Sequence, residues 1–421
     1  MAWELGNGHC FINSSRDDVC QPGLVPHYSV AAKNISDIQA GVKFANENDL
    51  YLVIKNTGHD HLGRSAGRGS FSIWTHQLKG RNWTDSFVAS GAPKGIKGIP
   101  AVTLQAGEQW LDVYKAASEQ RVIVVGGAAR TVGAAGGWLT GGGHSPFASD
   151  HGLGVDNLLE VSLVNAKGQH LVLNQHTDPD YFYAIRGGGG SAWGVITSAT
   201  FRTHPEPSHI QVAAIQVNAT TNSTLRTVLE RSLGALVNVT NAGYTGYGYL
   251  SDIGFAGLFI KPNGTDVQLR NAASEFEKIG QGDDISFGMA NFTFPRWIDY
   301  CDMFLQDPNI AQNVMDSSRL LTPDMAINKA DQIIDMMLDL GEEHYPFFNF
   351  IGKANPAKRN DTSVHPIWHD SRAVMSFGTN WNDDASEDEK LRKKQLLVDI
   401  SKRWSKIAGP SGGTYINEAN P

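Results

Sequence analysis

Leu50-Tyr51-Leu52-Val53-Ile54 runs directly into Lys55-Asn56-Thr57-Gly58-His59-Asp60-His61-Leu62-Gly63-Arg64-Ser65. A short continuous apolar run followed by a glycine-punctuated polar stretch reads as a buried strand that breaks into a loop. Gly58 and Gly63 permit positive φ and close backbone approach, and successive N–H groups in such a turn can form a concave nest for an anion such as phosphate. His59 sets an imidazole between them. The loop reads as a cofactor-holding element, with Asn56, Thr57, Gly58, His59, Asp60, Gly63, Arg64 and Ser65 as its candidate contacts.

Three further segments extend this reading. Gly126-Gly127-Ala128-Ala129-Arg130-Thr131-Val132-Gly133 continues through Gly136-Gly137-Trp138-Leu139-Thr140-Gly141-Gly142-Gly143-His144 to Gly152-Leu153-Gly154-Val155-Asp156-Asn157. Asp180 to Ile185 leads into Arg186-Gly187-Gly188-Gly189-Gly190-Ser191-Ala192-Trp193-Gly194-Val195-Ile196. Near the C-terminus stands Tyr415-Ile416-Asn417-Glu418. In this order and spacing, over nearly the whole chain, the four segments resemble the berberine-bridge-enzyme-like branch of the vanillyl-alcohol-oxidase flavoprotein superfamily, especially its fungal members. The Gly187–Gly190 cluster is not a Rossmann fingerprint, because it lacks the strand-to-helix G-x-G-x-x-G spacing and the acidic residue about 20 positions on.

The resemblance implies FAD as cofactor, with His59 in the position of a histidine that bonds covalently to the flavin. A second linkage in many members comes from a cysteine three residues before the valine of the Thr-Val-Gly segment. Ala129 stands there, so a single link is expected, with a lower potential and a more ordinary range of alcohols or amines. Val132 takes the position that gates oxygen, where valine favours an oxidase. Thr131, Gly133, Gly136, Gly137, Gly141, Gly142, Gly143 and Asn417 are expected to make room for or contact the cofactor. His144 is a further polar contact, and Gly194, Val195 and Ile196 meet the adenine side. Tyr415 corresponds to a tyrosine over the flavin that can act with a base. A free phenol titrates near 10, so it would need cationic or reduced-flavin tuning to serve as a base at neutral pH. Tyr244, Tyr247 and Tyr249 read as core or rim, with a pocket role as the alternative.

A length of 421 residues suits two domains, and a formal charge of −8 gives no basic footprint for nucleic acid. No run approaches the 18 apolar residues of a membrane span. A small-molecule ligand is therefore the expected partner, and the resemblance adds O2. Met1-Ala2-Trp3-Glu4 has neither a basic n-region nor an apolar h-region. Nine Asn-x-Ser/Thr sequons nevertheless point to the secretory route, at Asn13, Asn34, Asn82, Asn218, Asn222, Asn238, Asn263, Asn291 and Asn360. Cys10 and Cys20 read as a disulfide-stapled loop or as two thiols, and Cys301 as an inert buried thiol. Three cysteines without paired spacing disfavour zinc, as does Pro366 between His365 and His369. No metal is expected at His59 and His61 either.

Apolar runs at Tyr51–Ile54, Val102–Gln105, Val122–Val125, Val161–Val164 and His170–Leu173, with helical patterns over Ile38–Glu47 and Leu111–Glu119, give an α+β reading. His204-Pro205-Glu206-Pro207 suits a linker. Beyond it, strand patterns (Ile210–Val217, Tyr247–Leu250, Phe255–Ile260, Phe347–Ile351, Ala373–Phe377) alternate with helical ones (Ser223–Val237, Val267–Ile279, Lys329–Leu338, Asp388–Trp404), as in an antiparallel sheet covered by helices. The expected organisation has four parts. Residues 1–23 are an N-terminal segment, and 24–205 a PCMH-type FAD-binding domain of two α/β subdomains. Residues 206–410 form a substrate domain, and 411–421 return to the FAD domain. The resemblance implies further chain at both ends. It supports an oxidase acting on a secondary-metabolite alcohol or amine, with two alternatives: a flavin-holding non-redox cyclase, or a truncated, non-catalytic glycoprotein remnant.

Overall fold

The computed structural model describes residues 15–17, 19–20, 23–190, 192–305, 313–341, 346–353, 360–382 and 384–419. Three sheets organise these residues. The first is parallel, with order β1-β3-β2 from β1 (Tyr28–Ala31), β2 (Leu52–Lys55) and β3 (Phe71–Trp74). The helix Ile35–Glu47 covers it through Ile38, Val42 and Ala45. Its start is fixed by a reciprocal cap in which Asn34 accepts from the Asp37 N–H while Asp37 accepts from the Asn34 N–H.

The second sheet has the order β4-β5-β9-β7-β8, with β6 pairing β9. Its strands are β4 (Arg81–Phe87), β5 (Ile99–Gln105), β6 (Val122–Val124), β7 (Leu158–Val164), β8 (His170–Leu173) and β9 (Val195–Pro205). Strand β9 pairs with β5, β6 and β7, and it includes His204 and Pro205 of the expected linker.

The third sheet has seven antiparallel strands in the order β13-β10-β12-β11-β15-β16-β14. They are β10 (Ile210–Ala219), β11 (Thr245–Leu250), β12 (Gly254–Pro262), β13 (Ile285–Phe294), β14 (Asn313–Leu321), β15 (Phe347–Phe350) and β16 (Ala373–Trp381). Alternation along each strand divides its residues between two faces. Ile215, Phe259, Phe348, Phe350, Met375 and Phe377 join a core with the helices Asn222–Asn241, Asp266–Ile279, Ala330–Leu340 and Glu387–Ala408. The other face carries Leu258, Tyr247 and Asn349 in register across β12, β11 and β15. Phe347 pairs Ser376, and Asp316 pairs Gly378, on the remaining strands. That face looks toward the glycine-rich segments, and a second core joins the two regions through residues such as Trp110, Trp138, Phe201, Val212 and Trp297.

After the helix Glu387–Ala408 the chain runs back along β14, where Leu320 N–H donates to Gly413 O at 2.9 Å. This return brings Tyr415, Asn417 and Glu418 to the middle of the molecule. Cys20 is disulfide-bonded, while Cys10, its expected partner, lies outside the described residues. Cys301 is free and buried.

Candidate active site

The first loop is organised by Asp60, which is 8% exposed. Its carboxylate accepts from Arg64 Nη2 at 2.9 Å and from the Ser65 N–H at 3.0 Å. Gly58 has φ +91° and Gly63 φ +72°, so both take the positive-φ backbone that glycine permits. Asn56 ties the strand end to its neighbours, with Nδ2 donating to Ala106 O at 2.8 Å and Oδ1 lying 3.0 Å from His76 Nδ1.

The four segments are joined at three points. His59 Nε2 lies 2.7 Å from Thr131 Oγ1, joining the first segment to the second. Asn417 is the second, a hub. Its Oδ1 accepts from Arg64 Nη2 at 2.9 Å, and its Nδ2 donates to Gly137 O at 2.8 Å and to the Tyr415 hydroxyl oxygen at 2.7 Å. The third segment is fastened by Gly189 N–H donating to Thr140 O at 2.9 Å.

A cleft runs between these segments. Asn56, Thr57, Gly58, His59, Asp60, Arg64 and Ser65 line it from the first loop. Val132, Gly133, Gly136 and Gly137 line it from the second segment, Gly194 and Ile196 from the third, and Asn417 from the last. Ile54, Thr75, Trp138, Gly189, Gly190 and Trp193 line it as well.

Other expected contacts stand elsewhere. Gly63 and Thr131 shape the loops without lining the cleft, and Val195 is buried in the small core of the parallel sheet. Gly141 and Gly143 make room for neighbouring protein, Gly142 holds φ +122°, and none of the three lines the cleft. A Cβ at Gly141 would come within 2.6 Å of Asn417 Nδ2, one at Gly142 would meet Val364 at 3.4 Å, and one at Gly143 would meet Trp138 at 3.0 Å.

The cleft fits a flavin dinucleotide by two observations. A Cβ at Gly136 would meet no protein atom within 4 Å, and one at Gly190 nothing nearer than 3.5 Å, so these glycines leave a cradle open. Trp193 Nε1 is buried without a hydrogen-bond partner among the described residues, a donor that a polar ligand would satisfy.

At His59, Val132, Trp138 and Asn417 the cleft meets a second cavity of about 530 Å³. Its walls include Ala129, Tyr247, Leu258, Tyr300, Phe304 and Phe347, and its polar residues His61, His144, Asn349, Tyr415 and Glu418. His144 thus belongs to this cavity, 3.7 Å from Glu418 Oε1 through Nε2. Glu418 Oε2 accepts from Ser376 Oγ at 3.1 Å and from Asn349 Nδ2 at 3.3 Å. Burial opposes ionisation of this carboxyl, but His144, the charge of His61 and the Ser376 hydroxyl together hold it below the usual carboxylate value.

Tyr415 is 3% exposed, its burial pushes the phenol up, and its hydroxyl oxygen accepts from Asn417. His61 Nδ1 is bonded to Asp316 Oδ2 across the boundary between the first loop and the seven-stranded sheet. Tyr244 is a core residue donating to Gln211 Oε1 at 2.8 Å, whereas Tyr249 is exposed.

Glu418, His61 and Asp316 were not singled out as functional by sequence reasoning. Glu418 stood in a quoted segment, and its adjacency to Asn417 was the available signal. The others carry no local signature. Among the described residues no group of three His, Cys, Asp or Glu side chains is arranged to hold a metal, and no helix is long and apolar enough to cross a membrane.

Comparison with known proteins agrees with this geometry. Residues 26–174 match the FAD binding domain family. A protein of Arthroderma benhamiae named "Uncharacterized FAD-linked oxidoreductase" is 51% identical, with 100% of this chain and 75% of the relative covered. FAD-linked oxidoreductase malF of Malbranchea aurantiaca is 39% identical, with 100% and 73% covered. The crystal structure of a VAO-type flavoprotein from Myceliophthora thermophila C1 superposes with a TM-score of 0.84 at 26% identity, covering 95% of this chain and 74% of that one.

Proposed function

Because this chain belongs to the fungal, berberine-bridge-enzyme-like group of VAO/PCMH-type FAD-linked oxidoreductases, we propose that it is an oxidase for a small-molecule alcohol or amine, a secondary-metabolite intermediate, with O2 as final acceptor. One observation carries the reading. A glycine-lined cleft and an aromatic cavity meet at His59, and a half-buried Glu418, its pKa held below the ordinary carboxylate value, lines that cavity. When bound, FAD supplies the hydride acceptor and its reoxidation by O2.

The chain's own residues do the rest. His59, steadied through Nε2 by Thr131, is the point of covalent attachment, and Ala129 offers no thiol for a second. Glu418 accepts the proton of the substrate hydroxyl or amine, and His144 stabilises its charge. Tyr415 and Asn417 orient the substrate's polar group. Leu258, Phe304 and Phe347 offer the substrate an apolar wall. Val132, on the wall shared by cleft and cavity, leaves room for oxygen.

We assign the chain to the secretory route as a glycoprotein. Of the eight sequon asparagines among the described residues, all but the half-buried Asn218 are exposed, and Asn13 lies outside them.

The test of the oxidase reading is reoxidation. Protein photoreduced under argon and then mixed with air-saturated buffer should regain its flavin spectrum within seconds and release one peroxide per flavin. Reoxidation over many minutes would assign the electrons to another acceptor.

A further inference from the structure

Strand β13 forms one edge of the seven-stranded sheet, and among the described residues it pairs with β10 alone. An edge strand offers a row of unpaired N–H and C=O groups to a second chain, and proteins blunt such edges with charges, prolines, bulges or a covering element. The opposite edge, β14, has such devices. Asp316 and Arg319 stand within it, and its Leu320 N–H donates to Gly413 of the return segment. Strand β13 has none of them. Its residues, Ile-Ser-Phe-Gly-Met-Ala-Asn-Phe-Thr-Phe, include no charge and no proline, and its register with β10 runs without a shift from Ile285 to Phe294. Ala290, Asn291, Phe292 and Thr293 are all exposed, Phe292 by 45%. An uncharged, aromatic, β-prone sequence on an open edge is a template for pairing with copies of itself.

The sequon Asn291-Phe292-Thr293 lies within that exposed stretch. Asn291 Nδ2 donates to Asp266 Oδ1 at 2.7 Å, at the start of the helix Asp266–Ile279, which fixes the direction of the amide. One of the two amide hydrogens suffices for this bond, so the other is open to replacement by a sugar. We propose that Asn291 carries an N-linked glycan, and that this glycan keeps the β13 edge from pairing with a second copy of the chain. A pairing strand would have to lie about 4.8 Å from β13, within the volume of an oligosaccharide on Asn291. Asn218, by contrast, lies on β10 between β12 and β13, where no edge needs covering. The inference rests on the assignment of the chain to the secretory route and deepens it by giving one sequon a task.

Protein from a secretory host is digested for glycopeptide mapping by mass spectrometry, and its mass in solution is followed by size-exclusion chromatography with light scattering. Asn291 should be occupied in most wild-type molecules, and the wild-type mass should stay constant as concentration rises. Asn291→Gln and Thr293→Ala each remove the sequon, the second while leaving the bond from Asn291 to Asp266 in place. In both, the mass should at least double as concentration rises, while thermal unfolding of dilute samples matches the wild type. Adding Phe292→Lys to Asn291→Gln should restore the constant mass, because a charge on the edge opposes pairing. An unoccupied Asn291 beside other occupied sequons, variants whose mass stays as constant as that of the wild type, or a lysine that restores nothing would each overturn the inference. A chain without glycan at any sequon would overturn it too, and in that case the secretory reading falls with it.

Discussion

Glu418 and His144 stand 3.7 Å apart, carboxylate oxygen to ring Nε2, at the polar end of an otherwise aromatic cavity. The pair comes from opposite ends of the chain's logic, His144 from a glycine run and Glu418 from a single turn of 3-10 helix over Ile416–Glu418. Its consequence is a half-buried carboxyl whose pKa is held below the ordinary carboxylate value.

Replacing that carboxylate tests its role in proton transfer. Glu418→Gln keeps the size and the hydrogen-bonding partners Ser376 and Asn349, so flavin content should not change. The rate constant of substrate oxidation should fall about 10²–10⁴-fold, the range for loss of a general base. Because the folded pKa is depressed, the basic form persists as pH falls. The acid limb of kcat/KM should therefore lie below 4.5, the ordinary carboxyl value. A Glu418→Gln variant within threefold of wild type would assign the proton to another group.

The His61–Asp316 pair gives a stability prediction of opposite sign. Burial works against the charged ring, but the hydrogen bond and charge of Asp316, with the charges of Glu418 and Asp60, raise its pKa above 6.5. A raised folded pKa means stabilisation that is fully present below 6.5 and is lost as pH rises through the folded value. Urea unfolding at pH 5.5 should show Asp316→Asn less stable than wild type by about 1.5–3 kcal/mol, the value of a charged hydrogen bond. By pH 9 the gap should have narrowed. A gap that widens with pH would contradict the assignment.

Two glycines in the second segment separate fold from binding. A Cβ at Gly133 would come within 2.4 Å of Asn56 Nδ2 and displace the amide that holds Ala106 O and His76. Gly133→Ala should lower stability by about 1–3 kcal/mol, the cost of a displaced buried polar group. Gly137 opens a short helix and lines the cleft, and a Cβ there would meet nothing nearer than Asn417 Oδ1 at 3.7 Å. Gly137→Ala should leave unfolding unchanged while reducing the flavin retained per polypeptide. Differential scanning calorimetry with flavin absorbance on the same preparation would distinguish them.

What was legible in the sequence follows from how local the signal is. The strand Leu52–Lys55 and its loop could be read because an apolar run, two glycines and a histidine are contiguous, and His170–Leu173 was read to the residue. Strand β9 was missed, although it pairs with three others, because its Thr and Ser content and terminal Pro205 mimic a connection. Pro205 is tolerated at the strand end, opposite Val122. Strand β13, Ile285–Phe294, was missed because its alternation of Ile285, Phe287 and Met289 breaks at Asn291 and resumes out of phase at Phe292 and Phe294.

In the site, the glycine cradle and the Asn417 hub were readable as motifs. The side chains of the cavity wall were not. His61 and Asp316 are 255 residues apart, and Tyr300 sits on a helix whose aromatic content reads as core. Only the register of five strands brings Leu258, Tyr247, Asn349, Ser376 and Asp316 to one face. In the Gly141–Gly143 run, Gly141 and Gly143 clear space for Asn417 and Trp138, and Gly142 and Gly143 hold positive φ, so glycine has reasons there within the protein itself.

The covalent flavin at His59 is the central claim, and acid precipitation tests it most directly. Protein expressed through a secretory host is denatured with trichloroacetic acid, and the visible spectra of pellet and supernatant are recorded. The account predicts yellow colour that stays with the wild-type pellet and is absent from the pellet of His59→Ala. Flavin released wholly into the supernatant by the wild type would contradict it.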